Sequence, residues 1–250
     1  MSYDLGKDLL PPPQLLSDGT TNLDEYVTVG TNFVNYFLIN HAALRAHESV
    51  LDVGSGIGQK ARALSAYLKG NYEGIDIMPD AIAWCQEAYV RFPNFRFRVA
   101  DIHSAHYNPG GKVTAEQYAF PYPDESFDLV LLSSVFTHML PEGVSRYFEE
   151  IRRVLRPTGR CVATFFLLNQ EAIQGISAEK NVISAPHVWS DGCYVADLNS
   201  PETTVFHDES RVRQMFRAHG LNVVEITFGF WSGRKDLIRS LQDVVIAVRA

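Results

Sequence analysis

The stretch Val50-Leu51-Asp52-Val53-Gly54-Ser55-Gly56-Ile57-Gly58 decides how the rest of the chain is read. A short apolar strand runs into three alternating glycines, and a helical segment follows from Gln59 to about Leu68. Glycines in that place let the backbone turn sharply and approach a ligand where side chains would clash. An acid, Asp52, stands inside the strand two residues before the first glycine, which is costly unless something pairs it. The arrangement suits a ligand that brings positive charge. A dinucleotide fingerprint, G-x-G-x-x-G, would need glycine at position 59, where this chain has glutamine.

Working outward, strands and helices alternate. Tyr72–Ile75 is a second strand, and Pro79 opens a helix running to about Arg91. Phe95–Ala100 is a third strand, Phe127–Leu132 a buried fourth, and Arg160–Leu168 a fifth. Between the last two, Pro141–Leu155 carries Val144, Phe148, Ile151, Val154 and Leu155 on one helical face. This order predicts a parallel sheet with helices on both faces. Arg211–Ala218 reads as a helix, and the closing strands Asn222–Phe230 and Val244–Val248 have no crossover helix between them, so they pair antiparallel. Upstream, Val27–Leu44 has helical spacing, after a lead-in with Pro11-Pro12-Pro13 and an Asp18-Gly19 turn. The expectation is a single domain over 1–250, with a helical lead-in over 1–48. The weakly periodic segment 169–208 is expected to be an irregular insertion lying over an acceptor site.

Two further acids fall in register with Asp52. Asp76 ends the second strand roughly 20 residues past the glycine turn, where a carboxylate accepts both hydroxyls of a ribose. Asp101 follows the third strand and can accept from an exocyclic amine, with Ile77 and Ile102 packing on a ring. Three acids at the carboxyl ends of successive strands form one crevice in an open α/β sheet.

Composition narrows the partners. The 250 residues are 46% hydrophobic and carry a formal net charge of -7 without charge blocks, which disfavours nucleic acid. Three separated cysteines, Cys85, Cys161 and Cys193, form no metal spacing and fit a reducing compartment. Met1–Lys7 lacks the features of a secretory leader, and no apolar run approaches the roughly 20 residues of a membrane span, so a cytoplasmic location is expected.

The stretches "VLDVGSGIG", "YEGIDIMPDAI", "RVADI", "FPYPDESFDLVLLSSVFTHM" and "EEIRRVLRPTGR", in this order from about Ser49 to Phe166, resemble the class I S-adenosylmethionine-dependent methyltransferases of the type 11 branch. That resemblance implies a Rossmann-like α/β fold: a seven-stranded, mostly parallel sheet with the last strand antiparallel. It implies S-adenosylmethionine as cofactor and S-adenosylhomocysteine as product, with Gly54 and Gly56 lining the methionine end and Ser133 offering backbone to its amino group. One departure is plain: His103–Ala119 lengthens the loop after the third acid.

Methyl transfer asks the protein to align acceptor, methyl and sulfur and to exclude water. An oxygen acceptor also needs a base, for which His138, after the fourth strand, and His207, beside Asp208, are the candidates. Each is equally a histidine satisfied within the fold. Tyr36 and Trp231 are candidates for the acceptor pocket, and Trp189, Tyr194 and Phe230 are further aromatics outside the shared core. The pair Arg234-Lys235 suits an acidic acceptor or an exposed loop. Asp101, His103 and His106 are solvated loop residues rather than a metal set.

The place where amine-directed nucleic-acid enzymes of this fold carry Asn/Asp-Pro-Pro-aromatic reads Leu132-Ser133-Ser134-Val135-Phe136. No Pro-Cys pair and no two-glutamate loop is present. A small-molecule acceptor is the expectation. The rivals are a non-catalytic sensor or scaffold that keeps the cofactor crevice, and a nicotinamide-dependent oxidoreductase.

Overall fold

The computed structural model describes residues 9–16, 20, 22–183, 186–235 and 240–250. The Asp18-Gly19 turn and the Met1–Lys7 segment lie outside the described residues. The chain forms two compact units, Met1–Ala100 and Asp101–Ala250.

In the first unit, α1 (Leu23–Phe33) starts at Asn22, whose side chain accepts from the Glu25 N–H at 2.9 Å. It buries Tyr26, Gly30 and Phe33 along one stripe. The expected single helix to Leu44 changes pitch instead. Val34–His41 is wound as a π-helix, and the Ala42 N–H reaches back to the Phe37 carbonyl at 2.8 Å. Then come β1 (Val50–Val53), α2 (Gln59–Ser65), β2 (Tyr72–Asp76), α3 (Pro79–Ala88) and β3 (Phe95–Val99). The three strands pair in parallel, β1 with β2 and β2 with β3. β1 and β2 are buried at every position, which places the acids Asp52, Glu73 and Asp76 inside the fold.

In the second unit, β4 (Phe127–Leu132) leads through α4 (Pro141–Val154) to β5 (Leu155–Phe165), and β4 pairs β5 in parallel. The closing strands are β10 (Leu221–Thr227) and β11 (Asp243–Arg249). β11 pairs antiparallel with both β5 and β10, so the last strand in sequence sits inside this half of the sheet. All seven strands belong to one mixed sheet, as expected.

The segment 169–208 differs from the expected irregular insertion. It contains α5 (Gln170–Ser177), β7 (His187–Ser190), β8 (Cys193–Val195) and β9 (Val205–Asp208). With β6 (Leu167–Leu168) the strands build a second sheet in the order β6-β9-β8-β7. The strands are too short for a clear period, and Gly192, at φ 74°, makes the β7–β8 turn. α6 (Glu209–Ala218) follows, capped by the Asp208 side chain on the Arg211 N–H at 3.0 Å.

Candidate functional site

The glycine turn after β1 is held from behind. The Gly54 and Ser55 N–H groups donate to the Ile75 carbonyl at 2.8 and 3.1 Å. The carbonyls of Ile57 and Gly58 accept from the hydroxyls of Tyr26 (3.0 Å) and Tyr89 (3.3 Å), and that of Gly56 faces the Cys85 thiol at 3.7 Å. The carbonyls of the turn are thus drawn toward the protein. The three glycines have different jobs. A Cβ on Gly58 would stand 3.2 Å from Cys85 Sγ, so this glycine serves packing. At Gly56, with φ +52°, the place of a Cβ has no atom within 4 Å. Gly54 takes φ 76°. The turn is left-handed and open above Gly56.

Asp76 closes this turn from the end of β2. The Gly56 N–H donates to its Oδ2 at 2.7 Å and the Met78 N–H to its Oδ1 at 2.9 Å. Burial pushes its carboxyl upward, against the pull of these backbone donors. A carboxylate has about four lone-pair sites, so Asp76 keeps acceptor capacity beyond its backbone donors Gly56, Met78 and Ile77. Ile77, beside it, is half-buried.

Asp52 is placed differently from the expectation. It is 1% exposed, and the Tyr72 hydroxyl donates to its Oδ2 at 2.7 Å. Burial pushes it up to about 6, opposed by Tyr72 and by the Lys60 ammonium. The protein pairs this acid itself, so a positively charged ligand is not what makes it tolerable. Lys60 is a residue that sequence reasoning missed, because a lysine at a helix start reads as solvated surface. Ser55 was missed as well: its Oγ is buried with no hydrogen-bond partner among the described residues. Tyr36 lies in the π-helical segment, half-buried, with its ring 4.3 Å from that of His41 and 4.9 Å from that of Phe37.

In the second unit, Asp101 is exposed and faces Lys112 Nζ at 3.4 Å. The lengthened loop is ordered: Ile102 bridges to Val113, which buries it to 5% exposure, and the Asn108 side chain donates to the Ile102 carbonyl at 2.9 Å. His103 turns to the Pro109 carbonyl and His106 packs edge-on against Tyr107. Ser133 is half-buried at the end of β4, next to Ser134 at φ 61°.

The two candidate bases separate cleanly. His207 is in β9, 1% exposed, with Nε2 3.1 Å from the Phe136 carbonyl. Burial lowers its pKa to about 4, so it is a neutral core histidine, and its catalytic reading is corrected. His138 is half-buried in the short turn after β4. Its Nδ1 lies 3.1 Å from the Glu202 carbonyl, which can only accept, so the proton sits on Nδ1. That leaves Nε2 as an acceptor, 3.4 Å from the Tyr107 hydroxyl. The Glu202 carboxylate in turn accepts from Ser104 Oγ and the Ala105 N–H, both at 3.0 Å, tying the lengthened loop to the insertion.

Trp231 is also corrected. It is fully buried against Phe166 and Phe206, and its indole N–H donates to Asp243 Oδ2 at 2.8 Å. An indole near a strand end offers core packing as readily as a pocket wall, and the buried acid decides it. Arg234 joins the same cluster, with Nη1 3.5 Å from Asp243, Nη2 2.9 Å from Asn169 Oδ1, and Nε 3.0 Å from Glu171. Its side chain is 5% exposed, so it does not wait for an acidic acceptor.

A family model described as a methyltransferase domain matches residues 51–163. The chain is 31% identical over 121 residues to the demethylmenaquinone methyltransferase of Tropheryma whipplei (strain Twist), covering 48% of this chain and 43% of that protein. The chain thus spans less than half the length of that relative. Its fold is similar to that of the PH0226 protein from Pyrococcus horikoshii OT3, with a TM-score of 0.62 at 16% identity over 96% of both chains. It is similar also to 1,6-didemethyltoxoflavin-N1-methyltransferase of Burkholderia thailandensis, solved with 1,6-didemethyltoxoflavin and S-adenosylhomocysteine bound. There the TM-score is 0.56 at 16% identity, over 94% of this chain and 93% of that one.

Proposed function

We propose that the chain is a class I S-adenosylmethionine-dependent methyltransferase of the type 11 branch, on the match of residues 51–163 to a methyltransferase-domain model, and that it transfers a methyl group to a small-molecule acceptor. When bound, S-adenosylmethionine supplies a methyl group on a sulfonium, a leaving group that needs no further activation. The observation that carries the reading is the Asp76–Gly56 contact: a buried carboxylate fixed at 2.7 Å on a left-handed turn with open space above it. Asp76 accepts from the ribose hydroxyls with its remaining capacity. Gly54 and Gly56 admit the ligand close to the backbone, and the orphaned Ser55 Oγ lies in the same turn. Asp101 accepts from the adenine amine, Ile77 and Ile102 pack on the ring, and Ser133 offers backbone to the amino group.

On the acceptor side, His138 is the base. The Glu202 carbonyl fixes its tautomer, and Nε2 takes the proton from an acceptor hydroxyl. Tyr36 borders the acceptor. The names of demethylmenaquinone and didemethyltoxoflavin methyltransferases support a small molecule as substrate without specifying it.

Isothermal titration with S-adenosylmethionine, S-adenosylhomocysteine and NADH tests the reading. Micromolar binding of the adenosyl ligands, about -8 kcal/mol, with no heat from NADH is expected. Folded protein that binds neither adenosyl ligand overturns it.

A further inference from the structure

Lys60 is the second residue of α2, two positions after the last glycine of the turn, and is half-buried. Its Nζ donates to Gln59 Oε1 at 2.9 Å and stands 5.6 Å from the centre of the Phe33 ring of α1. An amide oxygen and a ring face are both neutral, so neither cancels the ammonium charge. α1 closes over this place so tightly that a Cβ on Gly30 would stand 2.6 Å from the Gln59 carbonyl oxygen. The lysine is therefore not an extended surface side chain, but one folded in beside the glycine turn.

The acid that acts on it is Asp52, and burial of either charge is eased by the other. The two differ in what they can reach. Asp52 is 1% exposed and occupied by Tyr72, whereas the ammonium has three donors and gives one to Gln59 among the described residues. The carbonyls of Gly56, Ile57 and Gly58 turn toward Cys85, Tyr26 and Tyr89, so the turn's acceptors are occupied away from the ammonium. An ammonium beside such a turn is matched by a carboxylate. The adenosyl ligand has one, on its amino-acid end, and Asp76 takes the ribose.

We propose that Lys60 binds the carboxylate of the ligand's amino-acid end, and that Asp52 is a positioning residue that acts through it. The inference rests on the cofactor reading above and deepens it. The acid inside β1 then acts on the ligand only through Lys60.

5′-Methylthioadenosine has the adenine, ribose and sulfur of S-adenosylhomocysteine but no amino-acid end, so the two ligands separate the roles by calorimetry alone. Lys60→Met is expected to weaken S-adenosylhomocysteine about 10- to 100-fold, as for a charged hydrogen bond, and to leave methylthioadenosine within about twofold. Lys60→Arg restores most of the difference, and Asp52→Asn moves the same ratio by a smaller factor. Equal losses for the two ligands in Lys60→Met, or no loss for either, overturn the assignment. Should Lys60→Met fail to fold, Lys60→Gln and Lys60→Arg decide: selective loss of S-adenosylhomocysteine in the first and not the second supports it, and matching behaviour overturns it. Wild-type protein that binds neither ligand removes the cofactor reading, and this assignment with it. Wild type that binds both while the variants keep their ratio removes this assignment alone.

Discussion

Each unit buries a strand-end carboxylate, Asp76 at the end of β2 and Asp243 at the start of β11, and the two are built for opposite purposes. Asp243 is 0% exposed and receives the Leu167 and Gly229 N–H groups at 2.7 Å, the Trp231 indole at 2.8 Å and the Arg234 guanidinium at 3.5 Å. Its acceptor sites are spent within the protein. Asp76 is also buried, at 7% exposure, yet its donors come from the local backbone, and the turn it closes opens to empty space at Gly56. Burial alone does not mark a site. What separates the two acids is spare hydrogen-bonding capacity beside room for a ligand.

The comparison breaks most visibly at Asp243. Asp243→Ala strands Arg234, the indole N–H and two backbone N–H groups, and is expected to cost about 3–5 kcal/mol of stability in denaturant titration. Adenosyl-ligand affinity in the folded fraction should stay unchanged, and a variant that loses affinity while keeping its stability would erase the distinction. Next in size is the pH response of the second unit. His207 titrates near 4 in the fold against about 6.5 in the unfolded chain, so the unfolded state takes up the proton first as pH falls. Its contribution, on the order of 3 kcal/mol, is present above about pH 6.5 and lost toward pH 4. Burial raises Asp243 to about 6, which acts in the opposite sense in the overlapping window. The quantity to measure is therefore the difference between wild type and His207→Gln, and parallel pH profiles would contradict the neutral core histidine.

In the first unit the expected order of effects reverses. Asp76→Ala should weaken S-adenosylhomocysteine by about 2–3 kcal/mol in calorimetry, with a smaller loss of stability. An unchanged affinity would remove its ribose role. The smallest effect on stability is expected at Gly56. Gly56→Ala imposes left-handed strain of about 1–2 kcal/mol and meets no steric obstacle in the protein. Its Cβ projects into the space assigned to the ligand, so affinity should fall by more than the strain alone. A fall no larger than that strain would mean that the space above the turn is not the binding site.

The elements legible in the sequence were those with strong local signals. β1 and β4 read from short, mostly apolar runs, and α4 reads from its apolar stripe. The place of the glycine turn after β1 and of Asp76 at the end of β2 is legible too, since both are set within a few residues. What escaped depended on distant partners. Trp231 reads the same in a core or a pocket until Asp243 is found beside it. His207 and His138 are told apart only by burial and by which carbonyl each faces. The second sheet escaped because its strands run two to four residues, too few for a period. In the sequence Asp52 stands as an acid in want of a partner, and that partner, Tyr72, lies 20 positions away on the neighbouring strand.

The place of β11 between β5 and β10 has a consequence for biogenesis. β5 is synthesised long before the strand that will flank it, and its free edge waits, unpaired, through the making of α5, the second sheet, α6 and β10. Such an edge is open to association with other chains until Asp243–Arg249 leaves the ribosome. The same insertion brings the Asp243 carboxylate to the Leu167 and Gly229 backbone, so late zippering of one strand both seals the edge and sets the second unit's buried charge.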